Sequence, residues 1–127
     1  FNVEKYLDRC LSSLRDQSYR NIEVLCINDG STDGSRTIID SYTSSDSRFK
    51  LIDKPNSGYG DSMNKGLEAA QGKYISILES DDFLDSDAIE QTSLRCSNAT
   101  SGCTGPKKGQ SAHTETMSTL LWPLRRW

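Results

Sequence analysis

Apolar side chains recur along residues 1–90 with two different periods. In four segments they return every three or four positions, which predicts amphipathic helices. These segments are residues 3–17, a stretch beginning at Asp33 or Ser35, residues 61–71 and a stretch beginning at residue 87. Between them lie short, mostly apolar runs with polar boundaries, which are typical of buried strands: residues 22–27, 49–53 and 74–78.

The alternation of helices with buried strands favours an α/β fold. Strands that are joined through helices are expected to lie parallel in one sheet, with helices packed on both faces. The order of elements begins with a helix, whereas a β/α unit normally begins with its strand. We therefore expect the first strand of the sheet to be missing.

The composition changes near Glu90. Residues 1–90 contain 10 Lys and Arg against 17 Asp and Glu, whereas residues 91–127 contain 5 against 1. The first segment holds 18 Val, Ile, Phe and Tyr residues and the second holds none, being rich in Ser, Thr and Gly instead. We therefore expect a partial domain over residues 1–90 and an unrelated, irregular and poorly ordered tail over residues 91–127.

The overall composition bears on the class of partner and on the compartment. The formal net charge of −3 does not suggest a nucleic acid as partner, and no apolar run approaches the roughly 18 residues of a spanning helix. Membrane association is therefore left open but not indicated. The four cysteines have no CxxC spacing, and we expect Cys10 and Cys26 to be buried free thiols. Free thiols favour a reducing compartment such as the cytoplasm.

Carboxylates gather after two of the predicted strands. Asp29 follows the first strand, and Glu79, Asp81 and Asp82 follow the third. The carboxyl ends of parallel strands meet at one edge of a sheet, where such sheets bind ligands. We therefore expect both groups of carboxylates to lie at the same edge.

The adjacent carboxylates of Asp81 and Asp82 indicate a divalent cation. Turns and helix starts explain single acids, and this is the simpler interpretation of Asp33, Asp85 and Asp87. It does not explain two neighbouring acids, which repel each other unless a cation lies between them. Mg²⁺ and Mn²⁺ prefer oxygen ligands and are bound together with substrate phosphates, so we expect one of these two ions.

The same residues lie in motifs that resemble glycosyltransferase family 2, a large family of inverting enzymes that use nucleotide sugars. One stretch is FNVEKYLDRCLSSLRDQSYRNIEVLCINDGSTDGS, with an aromatic-Asn pair before the first helix and NDGSTD after the first strand. The other is KPNSGYGDSMNKGLEAAQGKYISILESDDF, which ends in the D-x-D region. The resemblance covers residues 1–90 and implies a Rossmann-like GT-A fold.

For the base of the donor, the resemblance implies three positions. Phe1 stands where the family packs an aromatic ring against the base, Asn2 follows it, and Asp29 matches the acid that hydrogen-bonds the base. Gly58 would let the backbone approach the donor closely. The implied donor is a nucleotide-diphosphate sugar, with UDP as the favoured nucleotide.

For the diphosphate, the resemblance implies a metal site of Mg²⁺ or Mn²⁺ in the D-x-D region. Asp82 is the expected metal ligand, Asp81 contacts the ribose or the metal shell, and Glu79 supports the site. The implied acceptor is a glycan or a lipid-linked molecule in the synthesis of cell-surface polysaccharide. The implied location is the cytoplasm or the cytoplasmic face of the membrane.

The sequence does not assign the catalytic base. Inverting transfer needs a carboxylate that takes the proton of the acceptor hydroxyl, and the family supplies it from a segment after the D-x-D region. Residues 91–127 do not resemble that segment. Two alternatives stay open: a truncated, inactive donor-binding remnant and, more remotely, a phosphoacceptor signalling domain, whose expected lone Asp and later Lys do not match this layout.

Overall fold

The structure, a computed structural model, describes residues 2–98 and 116–122 of the 127-residue chain. Helices and strands alternate throughout these residues. In chain order the elements are α1 (Glu4–Arg15), β1 (Ile22–Asp29), α2 (Ser35–Ser45), β2 (Phe49–Lys54), α3 (Tyr59–Ala69), β3 (Tyr74–Glu79), α4 (Ala88–Asn98) and β4 (Met117–Trp122).

The four strands form one parallel sheet in the order β2-β1-β4-β3. Helices cover both faces. On one face a row of Ile22, Met117 and Tyr74 is buried with the apolar stripes of α1 and α2. On the other face Gly66 of α3 lies against Ile27, since a Cβ at Gly66 would come within 2.7 Å of the Ile27 Cδ1 atom. The predicted α/β fold with a parallel sheet is confirmed.

The elements predicted over residues 1–90 are all present, with shifted ends. The three strands contain the predicted apolar runs and extend one to two residues further. Helix α3 begins at Tyr59 rather than at residue 61, because Gly58 at φ 91° turns the chain directly into it. Helix α4 continues to Asn98, so the regular structure does not stop at the change in composition near Glu90.

The tail differs from the expectation of an irregular segment, because Met117–Trp122 forms β4 at the centre of the sheet. Met117, Leu120 and Leu121 are each no more than 2% exposed. The position between β1 and β3 is buried on both sides, and a run of six uncharged residues suffices to fill it. Neither β-branched enrichment nor periodicity signals this strand in the sequence. The strand therefore forms because it pairs with β1 and β3, and not because its residues have a high β propensity.

Strand β4 is attached to the sheet by polar contacts at its start. The buried Glu23 carboxylate accepts hydrogen bonds from the Ser118 hydroxyl at 2.8 Å and from the Gln71 amide at 3.0 Å. Gly72 permits this approach, because a Cβ there would lie 2.5 Å from the Ser118 backbone nitrogen. The central position of β4 thus depends on the Glu23 side chain, the Ser118 side chain and the backbone at Gln71 and Gly72, which come from three separate parts of the chain.

Within residues 2–98 and 116–122, no helix combines the length and the apolar character that crossing a bilayer requires.

Candidate functional site

The carboxylates predicted to share one edge of the sheet do so. Asp29 ends β1 and Glu79 ends β3, and both strands point the same way on either side of β4. Neighbouring strands are about 4.8 Å apart, so the two strand ends are separated by roughly 10 Å across β4. The site therefore has two parts, one at each of these strand ends.

The first part is built around Asp29, which is buried. Its carboxylate pairs with the Lys54 ammonium and accepts a hydrogen bond from the Ser57 amide at 2.9 Å. Burial alone would raise the pKa of Asp29, but the bonds from Lys54 and Ser57 and the Lys54 charge outweigh it and hold the pKa below its ordinary value. Asp29 is therefore an ionised carboxylate that fixes the loop after β2.

Lys54 contacts Asp29 and is buried, which its local sequence does not indicate. A lysine directly before a Pro-Asn-Ser loop normally suggests solvated surface, yet the Lys54 side chain is only 3% exposed. Its ammonium also donates to the Ser57 hydroxyl and lies 3.4 Å from a carboxylate oxygen of Asp61. The signal that could have found it is its position, because Lys54 ends β2 in direct register with Asp29 at the end of β1.

Gly58 lies in the same loop and is open to a ligand. Its φ of 91° is in the left-handed region that favours glycine, and nothing lies within 4 Å of the place a Cβ would take. The next residue begins α3. The predicted close approach of backbone to a donor is compatible with this open space.

Asn2 lies beside the loop that follows β1. Its side-chain oxygen accepts a hydrogen bond from the Thr32 backbone amide at 3.0 Å, and its backbone amide donates to the Ser31 hydroxyl at 3.3 Å. Asn2 therefore orders the NDGSTD loop next to Asp29. Phe1, predicted to pack against the base, lies outside the described residues.

The second part of the site is the acidic triad, defined here as Glu79, Asp81 and Asp82. All three side chains are exposed, and one carboxylate oxygen of each lies within 4.8 Å of those of the other two. Oxygen atoms at such separations suit a shared hard cation such as Mg²⁺ or Mn²⁺. Within the described part of the chain, none of the three forms an ion pair with Lys or Arg. The residues present therefore fit a divalent cation.

Helix α1 and Gln17, which lies just beyond the end of this helix, hold the loop that carries the triad. The Ser13 hydroxyl accepts a hydrogen bond from the Leu84 amide at 3.1 Å. The fully buried Gln17 donates to the Asp85 carbonyl at 2.6 Å and accepts from the Ile89 amide at 3.0 Å. The sequence does not predict the role of these positioning residues, because a polar residue near the end of a helix is normally exposed to solvent.

Cys10 lies under the triad but does not contribute to it as a ligand. Its thiol is fully buried and lies 3.6 Å from the Glu79 carbonyl oxygen. Burial, together with the negative charges of Asp82 and Asp81, raises the pKa of Cys10 to about 12. The thiol therefore stays protonated, and the prediction that Cys10 and Cys26 are buried free cysteines is confirmed.

Comparison with known proteins identifies one protein family. The chain matches the family described as Glycosyl transferase family 2 over residues 1–101. It is 46% identical over 91 residues to EpsH of Bacillus subtilis, which is named as a glycosyltransferase; the match covers 72% of this chain and 26% of EpsH. It is 47% identical over 92 residues to an uncharacterized glycosyltransferase of Haemophilus influenzae, covering 72% of this chain and 37% of that protein.

A third relative is the chondroitin synthase of Pasteurella multocida, which is 37% identical over 90 residues. That match covers 71% of this chain and 9% of the synthase. The chain thus spans far less than two thirds of the length of the curated relatives it matches. The matched residues include Asp29 and the acidic triad, and the four-stranded parallel sheet has the architecture that the resemblance implied. The chain belongs to glycosyl transferase family 2.

Proposed function

We propose that this chain forms the donor-binding part of an inverting glycosyltransferase that uses a nucleotide-diphosphate sugar, with UDP as the nucleotide. The reaction is metal-assisted and transfers the sugar to a hydroxyl of a glycan or a lipid-linked acceptor. We assign it to the synthesis of cell-surface polysaccharide, in the cytoplasm or at the cytoplasmic face of the membrane.

The acidic triad is the observation that carries this proposal. Three exposed carboxylates with oxygens within 4.8 Å of one another repel each other, and a shared cation would relieve that repulsion. In the proposed site Asp82 binds the metal, Asp81 contacts the ribose or the metal shell, and Glu79 supports them. A divalent cation held there would neutralise the charge that gathers on the leaving diphosphate.

The base of the donor binds at the other part of the site. Asp29 supplies the directional hydrogen-bond acceptor, in an ionised form that Lys54 maintains. Gly58 leaves room for the donor against the backbone, and Asn2 holds the neighbouring loop in place. Phe1 completes this part of the site as the platform for the base.

The transfer itself is a displacement at the anomeric carbon. The acceptor oxygen forms a bond to that carbon while the bond to the diphosphate oxygen breaks, and the configuration inverts. The acceptor proton passes to a general base, which we do not assign to any residue of this chain. The described residues therefore account for binding and orienting the donor.

Calorimetric titration of UDP with and without Mn²⁺ tests the binding proposal. We expect binding that depends on the metal and that weakens at least about tenfold on Asp82→Asn, because a charged ligand is lost. The matched control is Asp85→Asn, which removes an exposed carboxylate from the same loop outside the triad. Binding of UDP that does not depend on a divalent metal, or an equal loss in both variants, would contradict the proposal.

A turnover assay with a donor sugar separates transfer from binding alone. Release of UDP in the presence of an acceptor supports an active transferase. Donor binding without transfer favours the alternative of a donor-binding remnant, and it leaves the assignment of the binding site intact.

A further inference from the structure

The part of the triad loop that carries the two aspartates lies at the surface. Ser80 before them is 1% exposed, and the Leu84 amide after them donates to α1, but the side chains of Asp81, Asp82 and Phe83 are all exposed. Burial therefore does not fix this span, which includes the proposed metal ligand. An exposed span has conformational freedom that it must lose when its carboxylates converge on one ion.

The Phe83 side chain joins this span to helix α1. The Arg9 guanidinium lies over the Phe83 ring, with its central carbon 3.6 Å from the ring centroid. A cation is attracted to an aromatic face within about 6 Å of the centroid, so this contact is a close one. It connects the helix to the residue that directly follows Asp82.

Arg9 belongs to a group of α1 residues that contact the same loop. The Cys10 thiol donates to the Glu79 carbonyl at 3.6 Å, and the Ser13 hydroxyl accepts from the Leu84 amide at 3.1 Å. Arg9 and Ser13 are four positions apart and therefore neighbours on the helix surface. Cys10 thus contacts the loop before the two aspartates, whereas Arg9 and Ser13 contact it after them.

The Arg9 charge is directed at the aromatic ring and not at the acidic triad. Arg9 forms no ion pair with Glu79, Asp81 or Asp82. A direct ion pair would compete with a metal for the carboxylate oxygens. Stacking on the ring instead restrains the loop and leaves those oxygens available for a cation.

We propose that Arg9 is a positioning residue for the metal site. By stacking on Phe83, it holds the backbone next to Asp82 in the arrangement that a divalent cation requires. The inference rests on the proposed function, in which Asp82 binds Mg²⁺ or Mn²⁺. Groups that orient the ligands of a metal raise its affinity, because the ligands then lose less freedom on binding. Arg9 itself contacts neither the metal nor the donor.

Titration of the full chain with Mn²⁺ alone, in which electron paramagnetic resonance measures the free ion, tests this proposal. We expect Arg9→Gln to raise the dissociation constant for Mn²⁺ about two- to fivefold, as expected for the loss of an exposed cation–π contact. Phe83→Leu should raise it by a similar factor. Phe83→Tyr keeps the aromatic face and should bind Mn²⁺ as the unmodified chain does.

The double variant Arg9→Gln/Phe83→Leu shows whether Arg9 acts through the ring. It should bind Mn²⁺ no more weakly than either single variant, because both substitutions remove the same contact. The control is Lys5→Gln, which makes the same change of charge at an exposed position one turn earlier on α1. It should leave the affinity for Mn²⁺ unchanged.

Hydrogen exchange of the metal-free chain measures the positioning itself. The backbone amides of residues 81–84 should exchange faster in Arg9→Gln than in the unmodified chain. The amides of β1 are the reference for global unfolding, so a change confined to residues 81–84 is local. All substituted positions are exposed, and circular dichroism checks that each variant folds. Because Arg9→Gln and Phe83→Leu remove one contact from its two sides, each tests the proposal if the other does not fold.

Three results would overturn this inference and leave the proposed function standing. They are an unchanged affinity for Mn²⁺ in Arg9→Gln, losses that multiply in the double variant, and a loss in Lys5→Gln equal to that in Arg9→Gln. A chain that binds no Mn²⁺ would instead contradict the metal site, and with it both proposals.

Discussion

Asp29 and the acidic triad lie at the same edge of one sheet, yet they hold their negative charge in opposite ways. Asp29 is 4% exposed, and its charge is balanced inside the protein by Lys54 and by the Ser57 amide. Glu79, Asp81 and Asp82 are exposed and, among the described residues, have no cationic partner. An acidic side chain is therefore paired within the protein at one strand end, and at the other end the acidic side chains are left without an internal cationic partner.

The difference follows from the loops that leave each strand. Lys54 at the end of β2 and Ser57 in the loop that follows both contact Asp29, and burial makes an unpaired charge there costly. The loop after β3 is held by Ser13 of α1 and by Gln17, just beyond the end of α1, which contact its backbone and not its carboxylates. The triad is thus positioned without being neutralised, so its carboxylates stay free for a cation.

The largest effect should come from breaking the buried pair with Lys54→Met. The substitution leaves the Asp29 charge buried without its partner, and we expect the free energy of unfolding to fall by about 3–5 kcal/mol. Urea unfolding followed by circular dichroism measures this. The matched control is Lys65→Met, which removes an exposed lysine 3.6 Å from Asp61 and should change stability little. If Lys54→Met lowers the free energy of unfolding no more than Lys65→Met does, the charge of Asp29 does not depend on Lys54. The two parts of the site would then not differ in how they hold their negative charge.

A change in pH should have an intermediate effect on the free energy of unfolding. The ion pair of Asp29 with Lys54 determines the direction of this effect. The pKa of Asp29 is lowered in the folded state, so near the ordinary aspartate pKa of about 4 the unfolded chain binds the proton more readily. The contribution of Asp29 to stability is therefore present above that pKa and is lost as pH falls through the lower, folded value. Urea titrations at several pH values between about 7 and 3 measure this loss.

The Lys54→Met variant sharpens the pH test. Its buried Asp29 can lose its charge by taking up a proton in acid, so the stability gap between the two proteins should narrow as pH falls. A gap that is constant from neutral to acid pH would show that Lys54 acts through packing and not through the charge of Asp29.

The smallest effect on stability should come from the triad. Asp82→Asn removes one of several mutually repelling exposed charges, and we expect the free energy of unfolding to stay within about 0.5 kcal/mol of the unmodified value. The same variant should lose metal-dependent UDP binding, as measured by calorimetry. A large loss of stability in the absence of metal would indicate that Asp82 holds the fold together, in contrast to the proposed role as a metal ligand.

Much of the fold could be predicted from residues 1–90, because each element there has its own local pattern. The strands at 22–27, 49–53 and 74–78 are apolar runs, and α1 buries Leu7, Cys10, Leu11 and Leu14 along one stripe. The grouping of Glu79, Asp81 and Asp82 could also be predicted from the sequence, because three acidic residues within a four-residue segment must lie close together. Lys54 and Gln17 could not be placed this way, since their burial depends on partners 25 to 72 residues away.

The sequence by itself determined the alternation of helices and strands, the parallel sheet and the edge at which the carboxylates gather. These follow from periodicity and from the connection rules of β/α units, which are local properties. Only the tertiary structure decided that Met117–Trp122 is a central strand, and that Asp29 is neutralised from within while the triad is not. The physical reason is that the burial of a residue and the pairing of its charge depend on which distant residues contact it. The local sequence pattern does not specify those contacts.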